Sequence, residues 1–365
     1  MYLDESGGRF LLKIVFYITN HGFGHASRNV PLIREIIRRE SDSQIAIKSD
    51  RLRCDFLRRN LRDIDGKIEY YDDCEEVGLI LYEGTMIPDV ERMREEILCD
   101  FSRWDYYIKR EVEFLSEFQP NIVYDDIISW GIKAAKICGI PTVLVSNFIW
   151  SQMYKSFFGK EIWGAYEENY SLADKAMWYE IHDSELHSVC NQYEQISMVS
   201  REVDWKEVER IKKQHTQPIV FVSLGGSAEI DAMIDVAGLP YDFLTTRGLH
   251  LVGDNVTELP LDMINTPDYI AASEMVIAKG GWSTVAEIML LHKPCALLLR
   301  GENLEDNNTK MTLEARGHCI ALDGSELENI ESIIDRIKAI KPLDYEAYHN
   351  DVAYICDVLF EEAKK

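Results

Sequence analysis

The chain has 365 residues, 46% of them hydrophobic and 28% charged, with a formal net charge of −24. That length predicts two domains, and that composition predicts a globular protein, not a disordered one. The acidic balance argues against a generic nucleic-acid binder, and no run approaches the ~18 apolar residues of a membrane span.

In chain order, the first ten residues carry Asp4 and Glu5 and no basic stretch, unlike a secretory signal. Leu11–Thr19 reads as a buried strand, followed by a helix with Val30, Ile33, Ile36 and Ile37 at helical spacing. A strand at Ile45–Ile47, a helix near Asp50–Arg59 and a strand at Lys67–Tyr70 come next. Lys48, Arg51, Arg53, Arg58, Arg59 and Arg62 form a basic cluster expected along a single helix, as a solvated face or a patch for an anion or membrane surface. Glu91–Phe118 reads as one long helix, and Asn121–Tyr124 as a strand ending on Asp125 and Asp126. A helix over Ser129–Cys138 and a strand at Thr142–Ser146 complete the first alternation. Residues 200–217 are charged and poor in core pattern, as in an interdomain segment. The alternation restarts with a strand at Ile219–Ser223, a helix at Ala228–Val236, a strand at Met275–Ala278, a helix at Thr284–Leu291 and a strand at Cys295–Leu299. Such alternation predicts α/β architecture: two Rossmann-like domains with parallel sheets, spanning residues 1–199 and 218–344. A final helical stretch, 345–365, is placed back against the first domain. The eight cysteines are spread evenly with no Cys-x-x-Cys pair, which fits reduced thiols in a cytoplasmic protein better than zinc or disulfides.

Two strand-to-helix turns carry chemistry. The first reads Asn20-His21-Gly22-Phe23-Gly24-His25-Ala26-Ser27-Arg28. Gly22 and Gly24 let the backbone turn tightly and approach a ligand, and the helix start favours negative charge. There the dipole keeps His25 neutral, as a general base requires, with His21 as a second candidate. Helix capping is the bland alternative, and the intervening glycines disfavour a zinc site. Asp125 and Asp126, at a strand end, are candidates to orient the histidine or simply to cap a helix. The turn is not a dinucleotide fingerprint: Ser27 stands where a third glycine belongs, and Lys48-Ser49 follow the next strand, where an acid belongs. No P-loop motif occurs either.

The second turn reads Lys279-Gly280-Gly281-Trp282-Ser283-Thr284-Val285-Ala286-Glu287, with Pro294 further on. Amides at Gly280, Gly281, Ser283 and Thr284 opening a helix suit a diphosphate, and Glu287 one turn later suits a ribose diol. The same Thr284-x-x-Glu287 spacing is also a capping box.

With Tyr269–Ile277 before it and Pro294 after it, this second motif resembles the nucleotide-binding half of GT-B glycosyltransferases. The likeness is to UDP-dependent sugar transferases, including the N-acetylglucosaminyltransferase that forms lipid II. Leu224-Gly225-Gly226-Ser227 resembles that family's Gly-Gly-Ser turn, and His25 resembles its N-terminal histidine. The string from His21 to Arg28 also looks like archaeal predicted transferases of this type and the non-kinase portion of plant arabinose kinases. The resemblance implies that Gly226, Ser227 and the Gly280–Thr284 loop hold the diphosphate and Glu287 the ribose. It places Asn307 and Asn308 of Glu305-Asp306-Asn307-Asn308 at the donor sugar, although the family has glutamines there.

The resulting expectation is a metal-independent, hexosyl-type GT-B glycosyltransferase that needs no cofactor beyond its donor. It would move a sugar from a UDP-sugar to the hydroxyl of a sugar, lipid-linked or small-molecule acceptor, with His25 as base. A nucleotide-sugar hydrolase, a noncatalytic nucleotide-sugar binder and a UDP-sugar epimerase are the alternatives. The aromatics Trp150, Tyr154, Phe157, Phe158 and Trp163 are open to sugar stacking, peripheral membrane contact, core packing or a homodimer interface.

Overall fold

The computed structural model describes residues 11–365 except 84, 86, 225–229, 261–264, 300–302, 342, 343 and 345, and describes only the backbone at 230–232. The chain divides into two units. The first runs to Ser197 and takes back Asp351–Lys365; the second is Met198–Asn350. Helix α8 (Trp205–Gln214), in the stretch expected between domains, lies within the second unit.

The first unit holds strands β1 (Lys13–Ile18), β2 (Gln44–Lys48), β3 (Ile68–Tyr71), β4 (Ile122–Asp126), β5 (Thr142–Ser146), β6 (Lys175–Tyr179) and β7 (Tyr193–Ile196). They form one sheet in the order β3-β2-β1-β4-β5-β6-β7, and every pairing is parallel. β4 and β5 are buried at every position and β1 at all but its first. Their continuous burial, without period-two alternation, follows from helices covering both faces. Those helices are α1 (Gly24–Arg39), α2 (Arg51–Asn60), α3 (Val90–Phe101), α4 (Trp104–Phe118), α5 (Ser129–Cys138), α6 (Trp150–Lys155) and α7 (Lys160–Tyr170). The long helix expected over 91–118 is broken after Phe101. Trp104 turns inward there, donating its indole N–H to Asp100 at 2.9 Å and packing on Phe101 and Tyr166. The strand order reverses between β1 and β4, the place where open α/β sheets bind ligands beyond their strand C-termini.

The basic cluster is not one helical face. Lys48 ends strand β2, buried, with Nζ donating to Glu111 at 2.8 Å and lying 4.3 Å from the Phe114 ring centroid. Arg53 on α2 instead donates from Nε to the Gly22 carbonyl at 3.0 Å. Trp150, Tyr154 and Phe158 are buried in this unit, so of the readings open to them core packing applies and membrane insertion does not.

The second unit's main sheet contains β8 (Ile219–Ser223), β10 (Asp242–Thr245), β12 (Val256–Glu258), β13 (Met275–Lys279), β14 (Cys295–Leu298) and β15 (Ile320–Leu322). Its order is β12-β10-β8-β13-β14-β15, again parallel throughout. Strands β9 (Ile230–Asp235) and β11 (Leu249–Val252) make a separate parallel pair. The helix expected at 228–236 is therefore replaced by β9 over its described residues. Met233 and Asp235 are exposed while Ile234 and Val236 are buried, the period of two that a strand imposes. Helices α9 (Thr266–Ala272), α10 (Trp282–Leu290), α11 (Leu304–Thr309) and α12 (Ile330–Lys338) flank these sheets. Helix α13 (Val352–Glu362) packs on α1 within the first unit, where Arg39 donates to the Ala353 carbonyl at 3.0 Å and pairs with Asp357. Among the described residues no helix is long and apolar enough to cross a membrane.

Candidate active site

The first site is built where β1 and β4 end. Gly22 turns the chain in the left-handed region, φ +67°, where a side chain would be strained. Helix α1 then starts at Gly24 with no side-chain cap, so neither histidine serves as its N-cap. The β1–β4 register sets Ile18 opposite Asp126, which brings the Asp126 carboxylate beside the turn. His25 Nδ1 lies 2.8 Å from Asp126 Oδ1, and both residues are buried. The other Asp126 oxygen accepts from Arg28 Nε at 2.9 Å and Asn29 Nδ2 at 2.8 Å. Arg28 also donates to Asn147 Oδ1 at 2.7 Å and Ser146 Oγ at 3.1 Å, and its guanidinium sits 5.2 Å from the Tyr179 ring centroid. The C-terminal ends of β4, β5 and β6 thus converge on the first turn of α1.

Electrostatics hold the carboxylate and the guanidinium of this cluster charged. Burial pushes the Asp126 pKa up, but the Arg28 and His25 charges and their hydrogen bonds outweigh it and hold it down at about 2. Burial opposes the charge on Arg28, yet Asp126 raises its pKa above the usual arginine value. Asp126 is therefore a pure acceptor, and His25 Nδ1 carries the hydrogen pointed at it. Arg28 Nη2, 2.9 Å from the same nitrogen, is a donor drawn to the same carboxylate oxygen rather than a partner of Nδ1. In the neutral ring, the form a general base must take, this tautomer puts the basic lone pair of His25 on Nε2.

Asp125 faces away, as alternation along a strand requires. Its carboxyl accepts the Ile128 N–H at 2.9 Å, and burial, then Glu76 and Asp126, push its pKa well above the usual range. Of the two candidate aspartates, then, only Asp126 meets the histidine. Between this pair and α5, Ile127 holds φ +64°, strained for a β-branched residue, while its carbonyl accepts from Tyr170 OH at 3.0 Å. His21 flanks His25 at 6.5 Å between ring centroids and stands edge-on to Trp150 at 5.0 Å. Gly78 passes so close that a Cβ there would lie 2.7 Å from His21 Nδ1.

The second site lies at the start of α10. Gly281 is the N-cap, with no side-chain cap, so the helix begins before Thr284 and the capping box is not formed. Ser283 and Thr284 occupy the first turn, half-buried. The Trp282 N–H donates to Glu305 Oε1 at 3.3 Å, which brings the Glu305–Asn308 segment to the glycine turn. Asn307 is exposed and Asn308 half-buried on α11. Glu287 is buried and accepts from Arg201 Nε at 3.0 Å and Nη2 at 2.8 Å. Burial pushes its pKa up and Arg201 pulls against that rise. Gly226 and Ser227 lie outside the described residues.

Sequence reasoning assigned no role to Arg28, Asn29, Asn147, Glu76 or Arg201. The first two had a signal: His25, Arg28 and Asn29 stand three and four apart, on one helix face. The others reach their partners across long chain separations that no local pattern encodes.

The fold is GT-B. Residues 219–352 match the Glycosyltransferase family 28 C-terminal domain. The chain is 25% identical over 336 residues to the L-arabinokinase of Arabidopsis thaliana, over 82% of this chain and 30% of that protein. It thus spans less than a third of that relative's length. The calicheamicin glycosyltransferase CalG4 has a similar structure, with a TM-score of 0.64 and 14% identity, covering 97% of this chain and 98% of that one. Arabidopsis thaliana UGT89C1 complexed with UDP gives a TM-score of 0.64 at 12% identity, covering 97% and 100%. Acinetobacter baumannii MurG gives 0.55 at 12%, covering 96% and 100%.

Proposed function

We propose that the protein transfers a sugar from a UDP-sugar to an acceptor hydroxyl, without a metal, using His25 as general base and Asp126 as its orienting partner. The observation that carries this reading is the buried His25–Asp126 pair, 2.8 Å apart, at the switch point of the first sheet. An aspartate on Nδ1 fixes the tautomer, aims the ring and stabilises the imidazolium as it forms. His25 Nε2 takes the acceptor proton while the acceptor oxygen attacks the anomeric carbon. The bond from that carbon to the diphosphate oxygen breaks, and UDP leaves with its electron pair. Amides at the start of α10 offset the charge gathering on the diphosphate. The family 28 match over residues 219–352 supports the donor class, as does the UDP held by the UGT89C1 structure.

A thermal-shift panel of UDP, UDP-sugars, and the guanosine and thymidine equivalents tests the donor, since a ligand of the folded state raises the melting point by mass action. UDP and at least one UDP-sugar should raise it. A panel in which only another base does so, or none does, contradicts the reading.

A further inference from the structure

Glu287 and Arg201 meet inside the second unit, 3% and 9% exposed. Arg201 comes from the charged stretch that precedes β8, and the chain is held on both sides of it. The Ser200 carbonyl accepts from Asn350 Nδ2 at 3.3 Å and the Glu202 carbonyl from Asn265 Nδ2 at 3.0 Å. The Asp204 N–H donates to Asp268 Oδ1 at 2.8 Å. The guanidinium therefore reaches Glu287 from a fixed backbone.

Its contact is one-sided. An arginine commonly grips a carboxylate with two nitrogens on two oxygens. Here Nε and Nη2 both donate to Oε1, and among the described residues nothing donates to Oε2. One oxygen anchors the side chain while the other keeps its lone pairs. Packing does not account for the arrangement, because exchanging a buried ion pair for apolar residues of similar volume is often neutral or stabilising. The pair also decides what Oε2 can do. Burial raises the Glu287 pKa, Arg201 pulls against the rise, and Asp268 adds to it. A carboxylate accepts at both oxygens, whereas the neutral acid turns one of them into a donor.

Resting on the transferase reading above, we propose that Arg201 is the positioning residue for the donor's ribose. It holds Oε1 so that Oε2 stays a fixed acceptor for the vicinal hydroxyls, and it thereby makes the site prefer a ribonucleotide to its 2′-deoxy form. Arginine suits this task and lysine does not. A planar fork of donors fixes the oxygen it grips, whereas an ammonium is a point charge on a flexible stem.

The test titrates the full chain with UDP and with 2′-deoxy-UDP by calorimetry. Wild type should bind UDP at least about tenfold more tightly, the least that a hydrogen bond to a charged group contributes. Arg201→Met removes the fork and the charge. Its preference should fall to about threefold or less, the low end for a neutral hydrogen bond, with 2′-deoxy-UDP bound as in wild type. A merely structural arginine would weaken both ligands together and leave the ratio as it was. Arg201→Lys keeps the charge without the fork, so its ratio should lie between the two, and it serves if Arg201→Met does not fold. A wild-type ratio in either folded variant, or no ribose preference in the wild type, would overturn the proposal. A wild type that binds neither nucleotide would instead remove the transferase reading, and this inference with it.

Discussion

The two strand-to-helix turns do the same thing to the backbone and different things with side chains. At the first, glycine and histidine open α1, and its first turn is tied by Arg28, Asn29 and His25 to one carboxylate from β4. At the second, Gly281 opens α10 with no side-chain cap, and the Trp282 amide donates to the Glu305 carboxylate. One turn holds a titratable ring against a carboxylate. At the other, expected to offer the Gly280 and Gly281 amides to a diphosphate, those amides donate to the Leu298 and Lys279 carbonyls at 2.9 Å, and the helix start itself is left for the anion. A base has to be held by side chains, whereas a diphosphate can be held by a helix start. The first turn should therefore be brittle to side-chain substitution and the second tolerant, except at Glu287.

The largest effect should come from Asp126→Ala, which strands the buried Arg28 charge. Breaking such a pair typically costs about 3–5 kcal/mol, and chemical denaturation should read a loss of that order. Because Asp126 is held at about 2 in the fold, its contribution is present above the unfolded value near 4 and lost as pH falls toward 2. The gap between wild type and Asp126→Ala should narrow across that window. A variant as stable as wild type at pH 7 would mean the cluster does not depend on its carboxylate.

At the second turn, Glu287→Ala should weaken UDP by about 1.5–3 kcal/mol in calorimetry, the range for a charged hydrogen bond. Glu287 Oε1 is taken by Arg201, so the ribose contact would fall to Oε2. Lost stability with unchanged UDP affinity would make the Arg201–Glu287 pair structural only.

A smaller effect separates the two aspartate neighbourhoods. Burial raises the pKa of Glu76, so its contribution is full below about pH 4 and is lost as pH rises. Glu76→Gln does not titrate, and its melting point should gain on wild type from pH 5 to pH 8. A difference constant with pH would place Glu76 as an ordinary carboxylate. The smallest expected effect is none: EDTA should leave turnover unchanged. Loss of activity restored by Mn²⁺ or Mg²⁺ would contradict transfer aided by backbone amides alone.

The parallel sheets were legible because their strands are short apolar runs between glycine-marked turns, as at Ile219–Ser223 and Met275–Lys279. Local pattern misled where tertiary contacts decide: Trp104 breaks one helix, and β9 pairs with β11 instead of coiling. In the candidate site, His25 was readable from its glycines. The choice between Asp125 and Asp126 was not, because adjacent residues differ only in which face of β4 they take. Arg201 was hidden in a charged stretch that looks like a linker, and only folding brings it to Glu287.

The central claim is that His25 moves a proton and does not hold the nucleotide. Steady-state turnover and a UDP titration on His25→Ala measure both at once. The rate should fall by roughly 10²–10⁴-fold, the usual worth of a general base, with UDP affinity unchanged. Undiminished turnover, or loss of UDP binding, would contradict the account.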